Sequence, residues 1–146
     1  MTRTFLRSAL AVFACAGMLA LAVPSMAAMI SLKADLKGSN EVPPNDSKAS
    51  GQVTATYDPA TKKLTWKGTY SGLSGPATAA HFHTGAAGKN GGVAVPIFAG
   101  NTAGSPFEGS KTLTDAQVQD LMAGHLYVNI HTAAHKAGEI RGQLTK

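Results

Sequence analysis

Histidine is the residue type in this chain best suited to bind a metal ion, and two of its five histidines are closely spaced. His81 and His83 flank Phe82. Residues two apart in a β-strand project from the same face, so both imidazoles share one face and Phe82 occupies the other. Imidazole suits both copper and zinc, and alternate strand residues give chelating geometry. The pair therefore predicts part of a metal site on the polar face of a strand.

A later segment has the same alternation and supplies a third histidine. Leu126, Val128 and Ile130 are expected in the core, so His131 projects from the opposite, polar face. If the two strands are neighbours, His131 completes a three-histidine set for Cu(II) or Zn(II), and His135 in the following turn is a candidate fourth ligand. The residues expected around these ligands, where they would orient the imidazoles and tune the charge, are Tyr127, Glu139 and Arg141.

The same polar face admits a second interpretation without metal. The histidines could instead hydrogen-bond to Glu139 or Asn129 and hold neighbouring strands together. The chain would then be a protein-interaction module whose partner docks on loops such as 38–50 or 100–106. His125 directly follows Gly124 and is expected to be a capping or surface residue, not a ligand.

Short strands are expected to position these side chains. Apolar and polar residues alternate, or apolar residues dominate, in seven segments separated by turn residues. One helix is expected at about residues 114–123, with Thr114 and Gln117 as a capping box and Gly124 as its end. The pattern predicts an all-β fold, a Greek-key-like antiparallel β-sandwich with one short helix. The seven segments are 30–37, 51–57, 64–70, 77–84, 93–98, 126–132 and 139–144.

The first residues have the features of a secretory signal peptide. Arg3 and Arg7 precede an apolar run over residues 9–23, and small residues lead up to Ala27. We expect a signal peptide over 1–27 and a single domain over 28–146, located in the periplasm or outside the cell. The apolar run is shorter than the ~20 residues of a spanning helix, so no permanent membrane anchor is expected.

Composition excludes several classes of function. The only cysteine, Cys15, lies in the segment expected to be removed, which excludes disulfides, Cys-ligated metal sites and thiol nucleophiles from the remaining chain. The net charge of +5 includes Arg3 and Arg7, and the other basic residues are dispersed. No nucleic-acid partner is expected.

Several motifs occur in order along almost the whole chain after the expected signal peptide. Together they resemble the CHRD domain, named for chordin, which many secreted bacterial proteins carry as a single domain. The motifs are NEVPP at 40–44, YSGLSG at 70–75, AHFHTG at 80–85, NG at 90–91, LYVNIHT at 126–132 and GEIRGQL at 138–144.

The resemblance also implies a metal. The histidine strands and the closing Gly-x-x-Arg-Gly segment look like the plan of the copper-zinc superoxide dismutase sandwich, in which His81, His83 and His131 would be copper ligands and Arg141 would lie near the open face. The dismutase's cysteine pair and acidic zinc-holding loop have no counterpart here, so redox catalysis is not the expected role. We expect an exported protein that binds copper, with zinc as the less favoured ion, for storage, delivery or sequestration.

Overall fold

The computed structural model describes residues 27–100 and 104–146, so the expected signal peptide lies outside the described residues except for Ala27. Over these ranges the chain forms eight strands, a short 3-10 helix at Gly38–Asn40 and one α-helix, α1, at Asp115–Met122. Within them, the structure contains no helix with the length and apolar character needed to span a membrane. The strands are β1 Ile30–Lys37, β2 Ser50–Asp58, β3 Lys63–Ser71, β4 Ala77–Thr84, β5 Val93–Ala99, β6 Phe107–Thr112, β7 Leu126–Thr132 and β8 Ile140–Gln143.

All eight strands belong to one antiparallel sheet that curves until its two edges approach each other. The order of the strands is β5-β4-β7-β8-β1-β2-β3-β6. The edge strands β5 and β6 come together at Phe98 and Phe107, whose ring centroids are 5.5 Å apart. The sheet is therefore a nearly closed sandwich or barrel, and the predicted all-β class with one short helix is confirmed.

Alternation along the strands fills the inside of this curved sheet. Leu32, Ala34 and Leu36 of β1 are buried while the residues between them are exposed. On β3 the indole of Trp66 packs edge-to-face on Phe82 of β4, with ring centroids 5.1 Å apart. Phe82 therefore lies in the core, as the parity of β4 requires, and its neighbours on either side face away from the core.

The helix begins and ends where its capping residues predict. The side chain of Thr114 accepts from the backbone N–H of Gln117, and the side chain of Gln117 accepts from the backbone N–H of Thr114. Gly124 has φ +71, a left-handed conformation that favours glycine and ends the helix. Gln117 also donates to the carbonyl oxygen of Ala94, which ties α1 to β5.

Four polar residues that alternation along β7 and the segment 139–144 turns away from the core are nevertheless buried. Tyr127, Asn129, Glu139 and Arg141 are all at most 3% exposed. Two loops cover them, because residues 38–50 and 85–92 fold across the strands. From the first loop Asn40 and Asn45 donate to the carbonyl oxygens of Arg141 and Glu139. From the second, Lys89 and Asn90 accept from the Arg141 guanidinium.

Candidate metal centre

The sheet brings the three histidines together because β4 and β7 are neighbours. In the antiparallel register His81 pairs with Asn129, His83 with Tyr127, and Ala79 with His131. His81 and His83 project from the face opposite Phe82, and His131 projects from the same face of the adjacent strand. We call these three residues the histidine cluster. The sequence alone could not show that β4 and β7 are neighbours, and the fold places these two strands side by side.

The ring nitrogens of the histidine cluster are close enough to share one ion. One nitrogen from each ring lies within 4.8 Å of the other two. The Nδ1 atom of His81 and the Nε2 atom of His131 are 3.2 Å apart. Imidazole nitrogens bind zinc at about 2.0–2.1 Å, so two of them on one ion lie roughly 3 Å apart. The cluster could therefore hold a metal after small rotations of its side chains.

Backbone carbonyl groups fix the orientation of two of the rings. The Nδ1–H of His83 donates to the carbonyl oxygen of Gly91 at 3.0 Å, and that of His131 donates to Lys136 at 3.0 Å. A carbonyl oxygen can only accept, so both rings carry a proton on Nδ1, and Nε2 is the atom through which either ring, when neutral, can accept a hydrogen bond or bind an ion. The Nε2 atom of His83 is buried and has no hydrogen-bond partner among the described residues. Such outer contacts are typical of metal-ligating histidines.

Burial disfavours the charged forms of His81 and His131. It is the largest influence that lowers the pKa of His81, and the neighbouring rings of His131 and His83 lower it further. Burial also lowers the pKa of His131, although the hydrogen bond to Lys136 opposes the shift. Neutral imidazole is the form that binds metal ions, so the lowered pKa values of His81 and His131 favour binding.

Tyr127 and Arg141 lie beside the histidine cluster in a stack. The ring of Tyr127 is nearly parallel to that of His83, with an interplanar angle of 9° and centroids 5.1 Å apart. The guanidinium carbon of Arg141 lies 3.4 Å from the centre of the Tyr127 ring. The hydroxyl oxygen of Tyr127 accepts from the N–H of Gly91, the residue that orients His83. Because β7 lies between β4 and β8, Tyr127 is flanked by the other two side chains.

The remaining candidates lie elsewhere. Glu139 is fully buried, but its carboxylate accepts hydrogen bonds from Ser47, Ser74 and Thr132, and none from an imidazole among the described residues. His135 lies in the turn after β7, where its carbonyl oxygen accepts from the backbone N–H groups of Thr132 and Gly138. Its ring is not part of the group that could hold a metal. His125 is exposed, as expected.

One buried acidic residue near the site could not be identified as such from the sequence. Glu41 is 7% exposed, and its Oε1 atom accepts from Asn129 Nδ2 at 2.6 Å. Burial raises the pKa of Glu41 to about 7, although the charge of Arg141 and the hydrogen bond from Asn129 oppose the shift. The NEVPP motif contains Glu41, but only the folded loop places its carboxyl beside β7.

The comparisons with known proteins identify a family. The model of the CHRD domain matches residues 32–144, a range that includes the histidine cluster and all the strands after the first residues of β1. No curated protein and no solved structure matches the chain. The resemblance to the superoxide dismutase sandwich therefore stays a prediction.

Proposed function

The chain belongs to the CHRD domain family, and from this membership and the site geometry we propose that it is an exported copper-binding protein. The ligands are His81, His83 and His131. The observation that carries the proposal is the convergence of three imidazoles, of which His83 presents a buried Nε2 atom with no partner among the described residues. A buried acceptor without a partner costs free energy, which a bound ion would recover.

Copper is preferred to zinc because of the ligand set. The histidine cluster offers imidazole nitrogen only, and for a given nitrogen site the affinity of divalent ions is highest for Cu²⁺. Zinc is the second candidate. His135 is proposed as a fourth ligand only if its turn rearranges, since its ring lies outside the cluster.

The proposed role is storage, delivery or sequestration of the ion. All three ligand side chains are partly exposed, so an ion can enter and leave without opening the core. Export is supported by the N-terminal pattern of Arg3, Arg7 and the apolar run that follows, which is typical of secretory signals.

A second candidate, a metal-free interaction module, is favoured by one specific contact. His81 Nδ1 and His131 Nε2 are within hydrogen-bonding distance, so the two rings could join β4 to β7 without an ion. In that case the histidines contribute to stability and a protein partner would dock on the loops.

The test is a calorimetric titration of the purified protein with Cu(II) and with Zn(II). We expect stoichiometric submicromolar copper binding that is weakened at least about 100-fold in the His81→Ala/His83→Ala variant, because two of three ligands are lost. His125→Ala is the matched control, since this histidine is exposed and outside the cluster. Equal affinities in all three proteins would refute the proposal.

Thermal unfolding without metal separates the two candidates. If the histidines serve as ligands, His81→Ala changes the unfolding temperature of the metal-free protein little. If they serve as a structural link, the same substitution lowers that temperature whether metal is present or not.

A further inference from the structure

A cavity of about 480 Å³ lies beside the covered face of β8, separate from the histidine cluster. Its walls come from residues 39–42 and Pro44, from the turn at Ala87 and Gly88, and from Arg141 and Gln143. Sites for small molecules have volumes of roughly 300–1,000 Å³. The cavity is therefore large enough for a small organic molecule.

Two buried ionisable residues, one acidic and one basic, line this cavity without forming an ion pair. Glu41 and Arg141 are 7% and 2% exposed. Neither takes part in an ion pair among the described residues, where the two ion pairs are Lys62–Asp115 and Lys67–Glu108. Buried charges are normally paired directly, because an unpaired buried charge is unfavourable or changes its protonation state. The fold thus holds a buried acid and a buried base on one cavity and leaves a gap between them.

Both groups retain hydrogen-bonding capacity. Arg141 donates from Nη1 to Asn90 and from Nη2 to Lys89, which uses two of the five N–H donors of a guanidinium. Glu41 accepts from Asn129 through Oε1, and its Oε2 atom accepts no hydrogen bond in the described part of the chain. The guanidinium can therefore take a carboxylate, and the free oxygen of Glu41 can take a cationic N–H group.

Part of the remaining wall is apolar, although Ser39, Asn40 and Gln143 also line the cavity. Val42, Pro44 and Ala87 line the same cavity and offer no side-chain hydrogen-bonding group. A ligand that pairs with Arg141, pairs with Glu41 and packs on the apolar residues carries a carboxylate, an ammonium group and a short apolar side chain. A free α-amino acid combines these groups, with the two charges on one carbon.

We propose that the cavity between Glu41 and Arg141 binds a free α-amino acid with an apolar side chain, whose carboxylate pairs with Arg141 and whose ammonium pairs with Glu41. Hydrogen bonds around the cavity fix the positions of the loops that form it. Asn90 links its two loops, since its side chain accepts from Arg141 and donates to the carbonyl oxygen of Val42. The proposal is independent of the proposed copper site.

Three matched probes test the proposal on metal-free protein, because free amino acids also bind copper. L-leucine carries both charged groups, 4-methylpentanoate lacks the ammonium and 3-methylbutylamine lacks the carboxylate. By calorimetric titration we expect leucine to bind at least about tenfold more tightly than either analogue, because only leucine pairs with both side chains. The proposal is overturned if leucine does not bind at concentrations on the order of 10 mM, or if either analogue binds as tightly as leucine.

Variants assign the binding to this cavity. Glu41→Gln is isosteric and removes a charge that is costly to bury, so it should fold. We expect it to weaken leucine binding about tenfold without weakening the binding of 4-methylpentanoate, which has no ammonium to pair with Glu41. Glu108→Gln is the control, since this carboxylate is exposed and pairs with Lys67. Unchanged leucine affinity in Glu41→Gln would overturn the assignment.

A third variant distinguishes this proposal from the proposed function. His81→Ala removes a ligand of the histidine cluster. In the part of the chain that the structure describes, this ring contacts neither Tyr127 nor a residue of the cavity, so leucine binding should persist in the variant. Leucine binding lost in His81→Ala and retained in Glu41→Gln would place the amino acid at the histidines and overturn the proposal. Failure of copper binding has no effect on any of these results.

Discussion

Glu139 illustrates how hydrogen bonds keep a buried carboxylate charged. Burial alone would raise its pKa, but hydrogen bonds from Ser74, Thr132 and Ser47 outweigh burial and lower the pKa to about 2. A carboxyl whose pKa is lowered on folding stabilises the protein above its unfolded pKa of about 4.5. That stabilisation is lost as the pH falls from about 4.5 towards 2.

Substitution of Glu139 should therefore have a pH-dependent effect. We expect Glu139→Gln to lower the free energy of unfolding by about 3 kcal/mol at pH 7, because a neutral amide is a weaker acceptor for these donors. The difference from the unmodified protein should shrink between pH 4.5 and 2, measured by urea denaturation across the pH range. Glu108→Gln, at an exposed site, should show no such trend. A difference that is constant with pH would contradict the assignment of the low pKa.

At the scale of elements, the turn between β4 and β5 orients one ring of the histidine cluster through a backbone carbonyl group. The carbonyl oxygen of Gly91 orients His83, and a Cβ atom on Gly91 would overlap the carbonyl oxygen of Thr84. We expect Gly91→Ala to displace the turn and weaken copper binding about 10- to 100-fold, the usual cost of losing a contact that orients a ligand. Calorimetry would measure the change.

A neighbouring glycine provides the control for that prediction. A Cβ atom on Gly92 would have no heavy atom within 4 Å, so Gly92→Ala should leave copper affinity nearly unchanged. Equal losses in the two variants would mean that the turn matters only through its general flexibility and not through the carbonyl group of Gly91.

The elements also show how much the sequence could predict. The sequence pattern identified the strands that carry the histidines, and parity placed His81 and His83 on one face of the first strand and His131 on the polar face of the second. β6 was not predicted because, of its residues, only Phe107 is buried and the rest lack an apolar alternation. The burial of Arg141 and Asn129 could not be predicted either, because it depends on loops distant in sequence. Those loops fold over the strands and bring Glu41 with them.

For the whole molecule, closure of the sheet depends on the seam between its two edge strands. Phe107 of β6 is nearly buried and packs against Phe98 and the backbone of Gly68, where a Cβ atom would collide with its ring. We expect Phe107→Ala to reduce the free energy of unfolding by about 3–5 kcal/mol, measured by guanidinium denaturation. Copper affinity should be unchanged, since the cluster lies on β4 and β7.

Substitution of an exposed apolar residue is the control for Phe107→Ala. Met122, at the end of α1, is 39% exposed, so Met122→Ala should change the free energy of unfolding by less than about 0.5 kcal/mol. A small effect of Phe107→Ala, comparable to that of Met122→Ala, would show that the two edges contribute little to stability.

The packing of Trp66 on Phe82 gives this protein a natural optical probe. Phe82 lies between His81 and His83 in sequence and on the other side of the same strand, so the single tryptophan of the chain lies directly behind the proposed ligands. The tryptophan fluorescence of the protein therefore comes from Trp66 alone. Paramagnetic Cu(II) quenches nearby indole fluorescence, whereas Zn(II), with a filled d shell, does not. Fluorescence of the unlabelled protein would therefore report which of the two ions occupies the site during a competition between them.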